Sequence, residues 1–201
     1  MIAGPNGSGK TSLTKWLEKS GYDLGRYINP DEIAARLEGS NEARTLEAQA
    51  TAETLRDDCI NTKESFSFET VMSHPSKLDV LDRARTAGFF IQVFFVGIED
   101  PRINIERVAL RVAQGGHDVP VEKIQSRWKR SMEMAADAIL KSDQAFVFDN
   151  SEVELSGTSP RLVLRWKHDR ASNERWWGET PPTPNWVTTY ISKRLKDEFR
   201  K

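Results

Sequence analysis

The stretch Gly4-Pro5-Asn6-Gly7-Ser8-Gly9-Lys10-Thr11 matches the pattern G-x-x-x-x-G-K-[ST], and nothing else constrains the chain as tightly. Such a loop works only where a strand delivers it and a helix leaves it. Its glycines turn successive backbone N–H groups toward phosphate oxygens, and the positive end of the following helix adds to the attraction. The loop therefore demands an α/β architecture. Gly4, Pro5, Asn6, Gly7, Ser8, Gly9, Lys10, Thr11 and Ser12 form the candidate nucleotide-binding set. Lys10 should reach the β- and γ-phosphates, and the Thr11 hydroxyl should hold Mg²⁺. A glycine-rich turn ahead of an ordinary helix is the bland alternative. Only Met1, Ile2 and Ala3 precede Gly4, whereas strands average about five to six residues. Either the first strand is stunted and held mainly by neighbours such as FFIQVFFVG, or the native chain starts upstream of Met1.

Downstream, periodicity switches repeatedly between helix and strand. TSLTKWLEKSG reads as a helix with Leu13, Trp16 and Leu17 on its apolar face and Gly21 at its end. Tyr27-Ile28 is a short extended run, and Asn29-Pro30-Asp31-Glu32 spells a helix start. Residues 40–63 read as a longer helix with Leu46, Ala50 and Leu55 recurring, and SFSFETV (65–71) alternates as a strand. HPSKLDVLDRARTAGF is a further helix, opened by Ser76 and Asp79 and stopped by Gly88. FFIQVFFVGI is apolar on both faces, as in the middle of a parallel sheet. Asp100-Pro101 opens a helix to about Gln114. After Gly115-Gly116 another runs to about Lys141, and AFVFDNS (145–151) is a strand.

Strand and helix thus alternate over residues 1–151, predicting a central parallel sheet with helices on both faces. RLVLRWKHDRASNERWW then reads as a hairpin, GETPPTPNW as a turn-rich link and VTTYISKRLKDEFRK as an amphipathic helix. Residues 152–201 are expected to be appended to the same domain, being too short and polar to build a separate core.

Charge and cysteine content narrow the setting. Lys plus Arg total 29 against 30 for Asp plus Glu, a net charge of −1, so nothing pulls the protein toward nucleic acid or an anionic membrane. One cysteine, Cys59, suits a reducing compartment. No signal-peptide pattern is visible, and the longest apolar run is too short to span a bilayer. A cytoplasmic location is expected.

Three features downstream of the loop bear on reaction type. Asp31 follows a short strand at a helix start, the place of a base for an acceptor hydroxyl; the alternative is a first-turn acid favoured by the helix dipole. Glu69, with Thr70 beside it, should emerge at the carboxyl edge of the sheet, where open α/β folds bind ligands. It could touch a Mg²⁺-bound water or an acceptor hydroxyl, or simply be solvated. Arg107 and Arg111 share a helix face, and Arg127 and Arg130 lie on the next helix, across the loop GGHDVP. Cations facing one another across a glycine loop suit a lid, at about 111–127, that closes over ATP; a solvated basic helix pair is the alternative. His117 reads as a hinge or cap of that lid rather than a base.

Taken together, GPNGSGKT, NPDE, SFET, RVAQGGHDVP with the following RWKRS, and FVFDNS resemble the zeta toxin family over roughly residues 1–151. The lid motif is the specific part. The resemblance implies a three-layer P-loop kinase fold and transfer from ATP, with Mg²⁺, to the 3′-hydroxyl of the sugar of UDP-N-acetylglucosamine. It further implies Lys10 and Thr11 as phosphate and Mg²⁺ ligands and Asp31 as base. Glu69 and Thr70 would hold the acceptor, and Asn150 would lie on the adenine side. Arg111 and Arg127 would be the lid arginines, with Arg107 and Arg130 as the other candidates. A separate antitoxin chain is an implied partner. The chain looks like a compact branch of the family, and its C-terminal hairpin and helix have no counterpart. Other readings are a kinase of another nucleotide-like acceptor, such as NAD, and an ATPase or nucleotide switch without an acceptor. The switch reading lacks an LSGGQ-like signature and an apolar strand ending in Asp-Glu. A nucleic-acid binder is disfavoured by charge.

Overall fold

Seven strands form one sheet in the order β2-β3-β1-β4-β5-β6-β7. The computed structural model describes residues 1–200 apart from His117 and 153–159. In chain order the elements are β1 (Ile2–Ala3), α1 (Lys10–Lys19), β2 (Arg26–Ile28), α2 (Pro30–Ala34), α3 (Asn41–Thr62), β3 (Phe66–Thr70) and α4 (Ser76–Thr86). They continue with β4 (Gln92–Gly97), α5 (Pro101–Ala113), α6 (Val121–Leu140), β5 (Gln144–Asp149), β6 (Arg161–Asp169) and β7 (Glu174–Glu179). The chain closes with α7 (Asn185–Val187), a π-helical turn (Thr188–Ser192) and α8 (Lys193–Phe199).

β1 to β5 are parallel, and the hairpin β6–β7 is added antiparallel at the β5 edge. β4 shows why the layers form. Val93 and Phe95 point into one core with α3, α4 and α6, while Phe94 and Val96 point into another with Leu13 and Leu17 of α1. A strand apolar at every position is stable only when covered on both sides. The fold is thus the three-layer α/β arrangement expected.

Local expectations met three corrections. Trp16 of α1 is 45% exposed, so the apolar face of that helix is Leu13 and Leu17 with Thr14 between them. On α3, Leu46 is 75% exposed, and the buried row is Ala48, Ala52, Arg56, Cys59 and Ile60. Small side chains line the buried side of this helix, and the larger leucine faces out. α4 is not capped by Ser76 or Asp79; Pro75 stands at its N-cap, and the Ser76 N–H donates to His74 Nδ1 at 3.2 Å.

The segment that reads as a polar appendage feeds the main core. Trp186 is 2% exposed, and Val187, Ile191 and Leu195 are fully buried beside Met132, Ala135 and Ile139 of α6. The Trp186 ring lies where a side chain on Gly97 would have to go. Its indole Nε1 donates to Asp149 Oδ1 at 2.9 Å. Gly97 is therefore the space into which the C-terminal segment locks. Among the described residues, no helix is long and apolar enough to cross a membrane.

Trp186→Ala should lose about 3–5 kcal/mol of stability in urea unfolding, because it opens a cavity beside Gly97 and removes the indole bond to Asp149. Trp16→Ala should stay within about 0.5 kcal/mol, as surface substitutions do.

Candidate active site

The loop after β1 is held in shape by hydrogen bonds from three neighbouring elements and by its own Ser8 N–H, which donates to Pro5 O at 3.2 Å. Its entry is fixed by the Gly4 N–H, which donates to Thr70 O at 3.2 Å. Asn104 Nδ2 of α5 donates to Asn6 O, and Asn150 Nδ2 to Ser8 O at 2.8 Å. Gly9 closes the loop as the N-cap of α1, with φ +96° and no side-chain cap. A side chain there would be strained and would meet the Asn150 amide. The first turn of α1 therefore keeps its positive end uncapped, as an anion site requires.

Lys10 curls back over the loop, donating to the carbonyls of Gly4 and Pro5 at 2.9 Å each. Burial lowers its ammonium pKa; Glu69 and Asp31 oppose that shift, and Arg111 adds to it. The sequence-predicted pair Lys10 and Asp31 is thus brought within electrostatic reach, with Arg111 of α5 alongside. Gly116 packs against the Arg111 stem. Arg107 points elsewhere. It is half-buried, its pKa is lowered by burial with Asp149 opposing, and one guanidinium nitrogen is sealed from solvent without a partner. Arg127 is half-buried and Arg130 exposed on α6. His117 lies outside the described residues.

Glu69, 8% exposed, is the most thoroughly bonded group of the site. Its Oε2 accepts from the Thr11 hydroxyl at 3.1 Å, and Oε1 accepts from Thr14 at 2.8 Å and Tyr27 at 2.6 Å. Asn29 Nδ2 in turn donates to the Tyr27 hydroxyl at 2.9 Å. Burial and the carboxylate it serves push the Tyr27 phenol far above its ordinary pKa. Thr11 and Glu69 together make an oxygen-only donor pair beside the loop, the chemistry a hard cation such as Mg²⁺ takes. Thr70 is buried, and its hydroxyl accepts from the Met72 N–H at 2.9 Å, which commits it to the turn after β3. Ser12 is exposed on α1.

Asp31 lies in the first turn of α2, where the helix dipole favours an acid. The helix cap is Asn29, whose Oδ1 accepts from the Asp31 N–H at 3.0 Å. The Asp31 carboxylate takes no part in that bond, stays exposed, and lies near enough to Lys10 to oppose the lowering of its pKa. Thr14, Tyr27 and Asn29 are side chains of the site that sequence reasoning missed. Thr14 had a signal, since it stands three residues after Thr11 on one helix face. Tyr27 had none.

Comparison with known proteins follows this geometry. The sequence profile of the zeta toxin family matches residues 1–159, and the chain belongs to that family. It is 27% identical over 129 residues to an uncharacterised protein of Haemophilus influenzae, covering 64% of this chain and 90% of that one. Among solved structures it is similar to a protein of the PezAT chromosomal toxin-antitoxin system of Streptococcus pneumoniae. That match has a TM-score of 0.51 at 12% identity and covers 100% of this chain and 87% of the other. A candidate kinase of Chloroflexus aurantiacus matches with a TM-score of 0.49 at 17% identity, over 63% of this chain and 74% of that chain. The likeness to the pneumococcal structure is one of fold.

Because Thr14 and Tyr27 share one oxygen, Thr14→Val and Tyr27→Phe should each lower stability by about 1–2 kcal/mol. In a double-mutant cycle by urea unfolding, their sum should differ from the double variant by more than about 0.5 kcal/mol.

Proposed function

We propose that this zeta toxin family protein transfers the γ-phosphoryl group of ATP to a sugar hydroxyl of a nucleotide sugar, with UDP-N-acetylglucosamine as the first candidate. The observation that carries the reading is the exposed, uncommitted Asp31 carboxylate, close enough to the Lys10 ammonium to oppose the lowering of its pKa. A hydrolytic switch needs no such base for a second substrate.

In this reading the N–H groups of residues 6–11 bind the phosphate tail, and Lys10 exchanges its bonds to Gly4 and Pro5 for phosphate oxygens. Asp31 accepts the proton of the acceptor hydroxyl as its oxygen bonds to the γ-phosphorus. The bond from that phosphorus to the β–γ bridging oxygen breaks, and ADP leaves. Arg111 and Arg127 neutralise charge on the transferred group as the lid closes. Thr11 would hold Mg²⁺, with Glu69 positioned behind it by Thr14 and Tyr27. Bound there, Mg²⁺ supplies charge neutralisation between the phosphates. This assigns Glu69 to the metal side, since three hydroxyls already occupy its oxygens. Asn150 steadies the loop on the nucleotide side through Ser8. By analogy with the pneumococcal toxin-antitoxin system, the partner protein is a separate antitoxin.

The test incubates the protein with ATP, Mg²⁺ and a panel of nucleotide sugars and dinucleotides, and seeks one added phosphate by mass spectrometry. Lys10→Ala should abolish turnover. Asp31→Asn should lower kcat by about 10²–10⁴-fold while sparing ATP affinity. Equal ATP consumption with and without every acceptor, or an Asp31→Asn protein with normal transfer, would overturn the reading. A phosphorylated dinucleotide in place of a nucleotide sugar would reassign the acceptor.

A further inference from the structure

Two asparagines outside the phosphate loop each hold one of its carbonyls. Asn104 of α5 is fully buried, and its Nδ2 donates to Asn6 O. Asn150, just after β5, donates through Nδ2 to Ser8 O at 2.8 Å. Three other loop carbonyls are held locally: Gly4 O and Pro5 O by Lys10, and Gly9 O by the Leu13 N–H. Asn6 O and Ser8 O depend instead on side chains 98 and 142 residues away in sequence.

Stability alone does not explain Asn104. Its Oδ1 is sealed from solvent without a partner, so a buried oxygen goes unsatisfied for the sake of one donor bond. The helix also presses on the loop. A side chain on Gly7 would come within 2.8 Å of Asn104 O and 3.4 Å of Val108 Cγ2, and one on Gly9 would strike the Asn150 amide. Gly7 and Gly9 have φ +73° and +96°. Each asparagine thus stands against the glycine that follows the carbonyl it holds.

Across a planar trans peptide, the C=O of one residue and the N–H of the next point in opposite directions. The Asn6–Gly7 and Ser8–Gly9 bonds are trans; among the described residues the cis bond is Pro181–Pro182. Pinning Asn6 O to Asn104 therefore turns the Gly7 N–H away from α5. Pinning Ser8 O to Asn150 turns the Gly9 N–H away from the end of β5. Neither N–H meets an acceptor among the described residues, while the Ser8 N–H between them is spent on Pro5 O.

We infer that Asn104 and Asn150 are positioning residues that aim the Gly7 and Gly9 N–H groups, one each, at phosphate oxygens of the nucleotide. The inference rests on the nucleotide-binding part of the proposed function. A peptide released from its asparagine is free to turn its oxygen toward the anion and repel it, where the nest needs an N–H.

The test follows the amide resonances of Gly7 and Gly9 by heteronuclear NMR while ADP is added. In the wild-type protein both should move downfield, and AMP, which lacks the second phosphate, should move them less. Asn104→Ala should abolish the Gly7 shift and keep that of Gly9, and Asn150→Ala should do the reverse, with amides remote from the loop unchanged. Asn104→Leu, which fills the buried space without a donor, should match Asn104→Ala. Each variant should weaken ADP binding about tenfold, the worth of one charge-assisted hydrogen bond. Each should also raise the KM of ATP and leave that of the acceptor unchanged. The inference is overturned if ADP moves neither amide in the wild-type protein, or if the variants keep both shifts. It is equally overturned if either asparagine's loss abolishes both shifts together, since the pair would then only hold the loop in shape. If the amides respond as expected but no acceptor is phosphorylated, the transfer reading fails and the inference stands.

Discussion

Everything at the site depends on how two residues of strand are held. β1 is flanked on both sides: Ile2 lies opposite Glu69 and Phe94, and Ala3 opposite Thr70 and Phe95. The Met1 carbonyl accepts from the Phe94 N–H at 2.9 Å, and the Gly4 N–H extends the ladder to Thr70. Ile2 packs into the α1 core and Ala3 into the opposite one. A strand this short has little stability of its own. Parallel ladders on either side give it the rigidity of β3 and β4, and the loop inherits that rigidity at its first glycine.

The same register sets up the chemistry. Because Glu69 stands directly across from Ile2, one turn of α1 carries Thr11 and Thr14 over its carboxylate. Tyr27 arrives from β2 on the other side of β3. The carboxylate is thus fixed by three hydroxyls from two elements, and Thr11 is fixed through it. Preorganised donors and acceptors of this kind are what phosphoryl transfer asks of a protein, since the reaction is mostly positioning and charge stabilisation. A loop without such a carboxylate behind it could bind phosphate but would leave its hydroxyl free to turn.

How much of this the sequence revealed follows from how local each signal was. The loop, the Asn29 cap and the doubly apolar β4 are written in contiguous residues, and each appears where its pattern put it. What stayed hidden depended on tertiary partners. Leu46 and Trp16 read as core by their spacing, but α3 buries Ala48 and Ala52 instead, and α1 buries Leu13, Thr14 and Leu17. Trp186 sat in a proline-rich stretch with no periodicity to mark it. Its role needed the bare backbone of Gly97, nearly ninety residues away.

That last contact changes what the segment after residue 160 is for. β5 ends with neighbouring residues pointing to different clients. Asp149 receives the Trp186 indole and the Ser151 hydroxyl, the latter at 2.6 Å. Asn150, next in line, reaches Ser8 of the phosphate loop and donates its own N–H to Gly97 O at 3.0 Å. Ser151 Oγ in turn accepts from the Glu99 N–H, and the Glu99 carboxylate accepts from the Trp186 N–H at 3.2 Å. The ring of bonds closes on itself through Asp149, Ser151, Glu99 and Trp186, and Asn150, between two of its members, carries the phosphate loop through Ser8 O. α7 lies outside the residues matched by the family profile, yet it braces the strand end that steadies the nucleotide loop. The core that carries the chemistry and the segment that follows it are therefore parts of one hydrogen-bonded structure, and loosening the second displaces an anchor of the first.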